Sequence, residues 1–318
     1  MTAGPGRTLV IGAAGQVGTD LVPALRGEAG RDNVVAAVHR KAPSAEVAEG
    51  PVETLDATDK DALRRLIEKH RIDRLYHLPA LMSAAGEAEP EHAWRLNIES
   101  LKNVLDLAVE YRMKQMFWPS SIAVFGPTTP RDRTPQRTIL EPSTIYGVTK
   151  LTGEGLCNYY HRRYGLDVRS IRYPGLVTYK TFSGGGTSDY SVEIFLAAKA
   201  ENRYRCFVRP DTRMPLLYMD DAVKATVQLM KADARRITIR TSYNLSGLEF
   251  TAGELAEEVA RRVKGFTCDF IPDHRQAIAD SWPDTVDDSD ARRDWAWKPD
   301  YDLPRLVEVM LKGVGLSS

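Results

Sequence analysis

Tyr146 and Lys150, in the stretch Tyr-Gly-Val-Thr-Lys, stand four positions apart. On a helix that spacing puts a phenol and an ammonium on one face, about a turn from each other. Such a pair can move a proton. The ammonium is expected to lower the phenol from its ordinary pKa of about 10, so that a phenolate can take a proton from a substrate hydroxyl. The spacing by itself is common on helices that do no chemistry. Here two further parts precede it in the chain, a glycine-rich turn near the N-terminus and the serine pair Ser120 and Ser121.

Residues 8–18 read Thr-Leu-Val-Ile-Gly-Ala-Ala-Gly-Gln-Val-Gly, an apolar run short enough for a buried parallel strand that meets Gly12, Gly15 and Gly18. A helical pattern follows from Asp20. In such a strand-to-helix turn Gly12 permits the tight bend, Gly15 lets the backbone approach a pyrophosphate, and Gly18 lets the helix pack on the strand. The helix start, with Gln16 and Val17, offers oriented N–H groups to an anion. The spacing predicts a dinucleotide site, with an ordinary glycine-rich turn as the plain alternative.

The elements that must position these residues alternate between strand and helix, which predicts an α/β fold with a doubly wound parallel sheet. Strands are expected at 33–39, 52–56, 74–80, 115–120 and 167–173, with helices at 61–70, 91–111 and 145–164 between them. Ligands of open α/β sheets bind beyond the carboxyl ends of the strands, where Asp56, Ser83, Ser121 and Tyr146 fall. Leu78, Ala80 and Tyr173, on the last residues of the fourth and sixth strands or beside them, join the candidate cofactor wall. The division expected is a dinucleotide-binding part over 1–178 carrying the Ser, Tyr and Lys, and a smaller substrate-binding α/β region over 179–318, some of which can return to the first part.

Composition limits the choices further. The 318 residues are 43% hydrophobic, and 43 basic side chains balance 43 acidic ones. Bulk charge therefore gives no reason to expect nucleic acid or an anionic membrane as partner. No apolar run approaches the about 20 residues of a spanning helix, and no signal-peptide core follows the polar start, so a cytoplasmic protein is expected. Cys157, Cys206 and Cys268 are unclustered, and the six histidines, His77 and His161 among them, lack metal-ligand spacing. A reduced compartment and no metal site are expected. The run Gly184-Gly-Gly186 before Thr187-Ser-Asp-Tyr190 reads as a loop that covers a substrate.

The chain resembles the extended short-chain dehydrogenase/reductase family through Gly12, Gly15 and Gly18, through Ser121 in Ser-Ser-Ile-Ala-Val-Phe-Gly (120–126), through Tyr146 with Lys150, and through Tyr-Met-Asp-Asp-Ala (218–222). Within that family it is similar to the L-threonine 3-dehydrogenases, on residues 184–190, 199–221 and 281–291. Nucleotide-sugar epimerases and dehydratases share the first set and generally not the second. The resemblance covers almost the whole chain and implies a Rossmann-type fold, an L-threonine substrate and an NAD cofactor.

One position departs from the family. At the end of the second strand an aspartate usually bonds the adenine ribose, and here Val38 stands, followed by His39, Arg40 and Lys41. NAD remains the expectation, with Leu55 and Asp56 holding the adenine side. NADP stays open, because loss of the acid removes a reason to reject a 2′-phosphate that Arg40 can bind.

The mechanism that the resemblance implies has the β-hydroxyl of L-threonine bonded to Ser121 and Tyr146, Tyr146 as base, and 2-amino-3-ketobutyrate as product. Lys150 would act on Tyr146 and on the nicotinamide ribose. Ser83, Gly186 and Thr187 would grip the amino-acid head group, Trp282 would close over it, and Asn97 would serve on the cofactor side as a structural or proton-relay polar group. A helix-capping role for Ser83 and a packed surface role for Trp282 are the plain alternatives. An epimerase or dehydratase holding a nucleotide diphosphate through Arg209 and Arg213, and a non-catalytic NAD(P)-binding protein, are the competing functions. A homodimer through the 91–111 and 146–164 helices is also implied, with Leu101, Val104, Leu105, Ala108, Leu151, Leu156 and Tyr160 as apolar positions.

Overall fold

The computed structural model describes residues 6–181 and 186–316. Seven parallel strands form the central sheet. In chain order these are β1 (Arg7–Ile11), β2 (Val34–Val38), β3 (Val52–Thr54), β4 (Ile72–His77), β5 (Gln115–Ser121), β6 (Val168–Tyr173) and, after three short strands that lie elsewhere, β10 (Tyr243–Asn244). Across the sheet their order is β10, β6, β5, β4, β1, β2, β3. Every residue of β2 and β6 is buried, as expected of strands covered by helices on both faces. Strand order reverses at β1, which pairs with β2 on one side and β4 on the other. A crevice opens beyond the carboxyl ends of strands at such a reversal.

Three expected elements change in detail, the third strand ending at Thr54 and not at residue 56. The fourth strand ends at His77 and not at residue 80; Pro79 has no N–H to give a neighbouring strand. The helix expected over 91–111 is broken into helices Pro90–Trp94 and Ser100–Glu110 by a π-turn at Arg95–Glu99, an insertion common near functional sites.

The remaining strands are short: β7 (Gly175–Val177) pairs with β9 (Leu216–Tyr218), and β8 (Arg203–Cys206) with β11 (Thr267–Phe270). Around them helices Tyr190–Glu201, Ala252–Arg262 and Leu303–Gly313 share an apolar core that includes Phe195, Leu255 and Leu306. Several late segments pack instead with the central sheet. Met219, Ala222, Trp295 and Trp297 share a cluster with Val10 of β1, Leu21 of the helix that follows it, and Val34 and Val38 of β2, and β10 extends the sheet beside β6. Among the described residues no helix is long and apolar enough to cross a membrane.

Candidate active site

The turn after β1 is built as its glycines require. Gly12 has φ +83°, a conformation L side chains avoid. A Cβ at Gly18 would lie 2.5 Å from the Gly12 carbonyl oxygen and 2.6 Å from Ala13 Cα, so only glycine lets helix Gln16–Ala29 start this close to the turn. The helix start has neither a side-chain cap nor an acidic residue in its first turn. Its N–H groups and partial positive charge are therefore left to an anion.

Helix Ile145–Tyr164 carries Tyr146 and Lys150. Thr144 caps it, accepting from the Gly147 amide at 3.1 Å, and Gly165 ends it at φ +72°. Gly153 sets its distance from the sheet, because a Cβ there would lie 2.3 Å from the Trp118 ring. One turn beyond Lys150, the Glu154 carboxylate accepts two bonds from the Arg172 guanidinium on β6, both 2.8 Å, and a third from the Ser120 hydroxyl at 2.7 Å. Arg172 also donates to Asn244 Oδ1 at 3.0 Å. The catalytic helix is thereby tied to β5, β6 and β10.

One cavity of about 470 Å³ runs over the carboxyl ends of the strands, a size suited to a cofactor and a small substrate. Its wall takes in Gly12, Gly15, Gln16, Val17 and Gly18, then Val38 and Arg40, then Leu78, Ala80 and Ser83. Ser121, Tyr146, Lys150, Tyr173, Gly186, Thr187 and Trp282 complete it. The glycine turn, the Ser-Tyr-Lys set and the head-group candidates thus face the same space, although up to 270 residues separate them (12 to 282).

Three candidates stand outside the wall, the first being Leu55, which is buried in the core behind the sheet. Asn97, in the π-turn, accepts from the Leu81 amide at 2.8 Å and donates to the Leu81 carbonyl at 3.1 Å and to Thr149 Oγ1 at 3.0 Å. Its amide joins the segment after β4 to the helix that carries Tyr146, the structural form of the role expected for it, and it stands outside the cofactor wall. Asp56 caps its own turn, its Oδ1 accepting from the Thr58 amide at 2.9 Å and hydroxyl at 2.8 Å, while Oδ2 stands half-exposed 3.9 Å from His39 Nε2.

Other positions acquire detail. Ser83 is buried on the first turn of helix Ser83–Ala88, but Met82 occupies the cap position. Tyr173 gives its ring to the wall while its hydroxyl bonds Thr226. Trp282 is only 7% exposed and belongs to the C-terminal core, so it is a packed wall here. Residues 184–185 of the expected covering loop lie outside the described residues. Its next part is braced, the Asp189 carboxylate accepting from the Gly186 amide at 2.8 Å. Sequence reasoning left Asp189, His39 and Lys41 out of the site, and they also line the cavity; adjacency to Thr187 and Arg40 was the available signal.

Electrostatics differ from the expectation in one respect. The Lys150 ammonium donates to the Pro119 carbonyl at 2.6 Å and sits 4.7 Å from the Trp118 ring and 5.6 Å from the Tyr146 ring. Burial pushes the Tyr146 phenol up to about 12, with hydrogen bonding to Ser121 opposing it. Burial pushes Lys150 down to about 7. Both groups are driven toward their neutral forms, because apolar surroundings solvate either charge poorly, although Tyr146 is only half-buried on the cavity wall whereas Lys150 is buried. The lowering of Tyr146 by Lys150 expected from spacing is not what prevails in this structure.

Comparison with known proteins places the chain. The NAD dependent epimerase/dehydratase family model matches residues 8–246. The chain belongs to that family. A mitochondrial L-threonine 3-dehydrogenase of Bos taurus is 46% identical over 313 residues, covering 98% of this chain and 83% of the relative. A solved structure titled a GalE-like L-threonine dehydrogenase from Cupriavidus necator, in its holo form, superposes with TM-score 0.94 at 47% identity, covering 97% of this chain and 99% of the other. A structure titled a monomeric L-threonine 3-dehydrogenase from a metagenome database, in its apo form, gives TM-score 0.92 at 44% identity, covering 96% of this chain and 98% of the other. For a member of this family the glycine turn, the uncapped helix start and the cavity fit a dinucleotide, its pyrophosphate over Gly12 to Gly18.

Proposed function

We propose that the protein is an L-threonine 3-dehydrogenase, oxidising the β-hydroxyl of L-threonine to give 2-amino-3-ketobutyrate. The observation that carries this is Ser121, Tyr146 and Lys150 on the wall of the same cavity as the glycine turn, in a chain whose relatives named L-threonine 3-dehydrogenase match nearly its full length. When bound, the nicotinamide supplies the hydride acceptor. Ser121 and Tyr146 hold the substrate hydroxyl, and the Tyr146 oxygen takes its proton. Lys150, fixed by the Pro119 carbonyl with its Nζ 5.6 Å from the Tyr146 ring, supplies a positive charge or a donor on the same cavity wall. Ser83, Gly186 and Thr187 hold the ammonium and carboxylate of the substrate, and Trp282 excludes water from above.

The epimerase reading loses its support in the cavity. Arg209 pairs with Asp280 at 2.7 Å and Arg213 with Glu254 at 3.6 Å, and neither lines the wall. The deciding experiment is absorbance at the reduced-nicotinamide band with L-threonine and oxidised dinucleotide. Growth of that band supports the dehydrogenase; a flat trace with turnover of a nucleotide sugar would replace it.

The assembly we propose is a two-fold homodimer. Leu101, Val104, Leu105 and Ala108 are fully buried and belong to the core behind the sheet, so they are not free for a partner. Val148, Tyr159 and Tyr164 on helix Ile145–Tyr164, with Trp94 at the end of helix Pro90–Trp94, are exposed and apolar enough to serve instead. Light scattering at micromolar protein should give about twice 35.5 kDa; the monomer mass with full activity would reject the dimer. Free Cys157, Cys206 and Cys268 suit a reducing compartment such as the cytoplasm.

A further inference from the structure

The end of the cavity beside β2 is built for negative charge. Val38 closes β2 and pairs with Thr54 of β3, which puts it at the strand end where an acid would accept from the two ribose hydroxyls of an unphosphorylated cofactor. Valine offers no acceptor, and no charge to repel a phosphate. The next three residues, His39, Arg40 and Lys41, are exposed and all line the cavity. Asp56 is the acid that could have substituted for the missing one. It is held by the Thr58 amide and hydroxyl, and its Oδ2 lies 3.9 Å from His39 Nε2, outside the wall.

We propose that this rim is a site for the 2′-phosphate of a phosphorylated dinucleotide, so that the protein binds NADP in preference to the NAD expected from resemblance. The inference rests on the dinucleotide reading above. A guanidinium fork can bond a phosphate through two N–H groups at once, and a lysine beside it adds charge without fixed geometry. Arg40 has no ion-pair partner of its own within the described residues, and neither has Lys41, so their donors need not leave a carboxylate to take up a phosphate. The nearest carboxylate, Asp56, accepts from the Thr58 amide and hydroxyl and feels the Arg40 charge, which helps to hold its pKa below the usual carboxylate value, without forming an ion pair with Arg40.

Titrating the full-length protein with NADPH and with NADH, followed by reduced-nicotinamide emission, tests this without turnover. NADPH should bind about tenfold tighter or more, equivalent to about 1.4 kcal/mol, and the margin should shrink as salt is raised. Arg40→Ala should weaken NADPH about tenfold and NADH by much less, and Val38→Asp should reverse the order of the two. NADH binding as tightly as NADPH, or Arg40→Ala weakening both alike, would overturn the 2′-phosphate site and leave the dinucleotide reading standing. Binding of neither would remove both.

Discussion

At the catalytic end of the cavity the charged groups Lys150, Glu154 and Arg172 have fixed partners, whereas the charged groups at the end beside β2 have almost none. Lys150 is 3% exposed and pinned to the Pro119 carbonyl. Behind it the Glu154 and Arg172 side chains are 2% and 3% exposed and joined by two bonds of 2.8 Å. His39, Arg40 and Lys41 stand in solvent, with one long contact from His39 to Asp56. Proton transfer depends on a Tyr146 oxygen held to within fractions of an ångström, so its supports are desolvated and paired. Recognition of a phosphate by exposed charge needs less, and one or two substitutions there can change the cofactor without disturbing the chemistry.

The contrast is broken most severely at Glu154. Glu154→Gln keeps the shape but leaves the Arg172 guanidinium buried without its counter-charge, and should cost about 3–5 kcal/mol of folding stability. Arg40→Ala, at the exposed end, should change stability by less than about 0.5 kcal/mol. Urea denaturation of both variants measures the gap. Equal small losses would mean that the buried pair does not brace the helix.

Tyr146→Phe comes next. It keeps the ring and its packing and removes the titrating oxygen, so threonine oxidation should fall by about 10² or more in a folded protein. Activity within a few-fold of wild type would take Tyr146 out of the mechanism. Because burial holds the phenol up to about 12, its ionised fraction grows as pH rises, and kcat/KM should climb from neutral into the alkaline range. A profile that falls from pH 7 to pH 10 would contradict the assigned base.

The parts of the site written in local spacing were legible in the sequence. Gly12, Gly15 and Gly18 are needed within one turn, and Tyr146 with Lys150 within one turn of helix, so their periods survive in the chain. The strand β2 was legible because burial on both faces leaves an unbroken apolar run, whereas β6, Val-Arg-Ser-Ile-Arg-Tyr, was legible only from its place in the alternation of strand and helix. What escaped depends on partners far along the chain or on local competition for a side chain. Asn97 carries no mark that its amide will meet the Leu81 backbone, and Asp56 none that one of its oxygens will be taken by Thr58. Glu154 and Arg172 look like surface charges until the helix is laid on the sheet. Trp282 in a polar stretch reads as a cover over the substrate or a packed surface ring, and only the fold shows that the C-terminal core holds it. The two-residue β10 is too short to have a period at all.

The smallest effect sharpens the comparison through pH. Burial brings Lys150 down from 10.5 to about 7 in the folded protein, while the unfolded chain retains the ordinary lysine value. Between those limits the unfolded chain binds a proton that the folded one does not, so stability rises with pH across that window. Below about 7 both states hold the proton, and the folded state carries the full cost of a buried ammonium. Lys150→Met removes the titrating group and keeps a flexible apolar stem. The stability of wild type relative to Lys150→Met, without cofactor, should therefore improve from pH 7 to pH 9, by at most about 1.4 kcal/mol for each pH unit. Lys41→Met, at the solvent-exposed end, should show no such slope. Urea denaturation of the three proteins at both pH values checks it. A constant difference between wild type and Lys150→Met would mean that the Pro119 carbonyl and the Trp118 face hold the ammonium charged despite its burial, and that the two ends of the cavity differ in geometry but not in their hold on a proton.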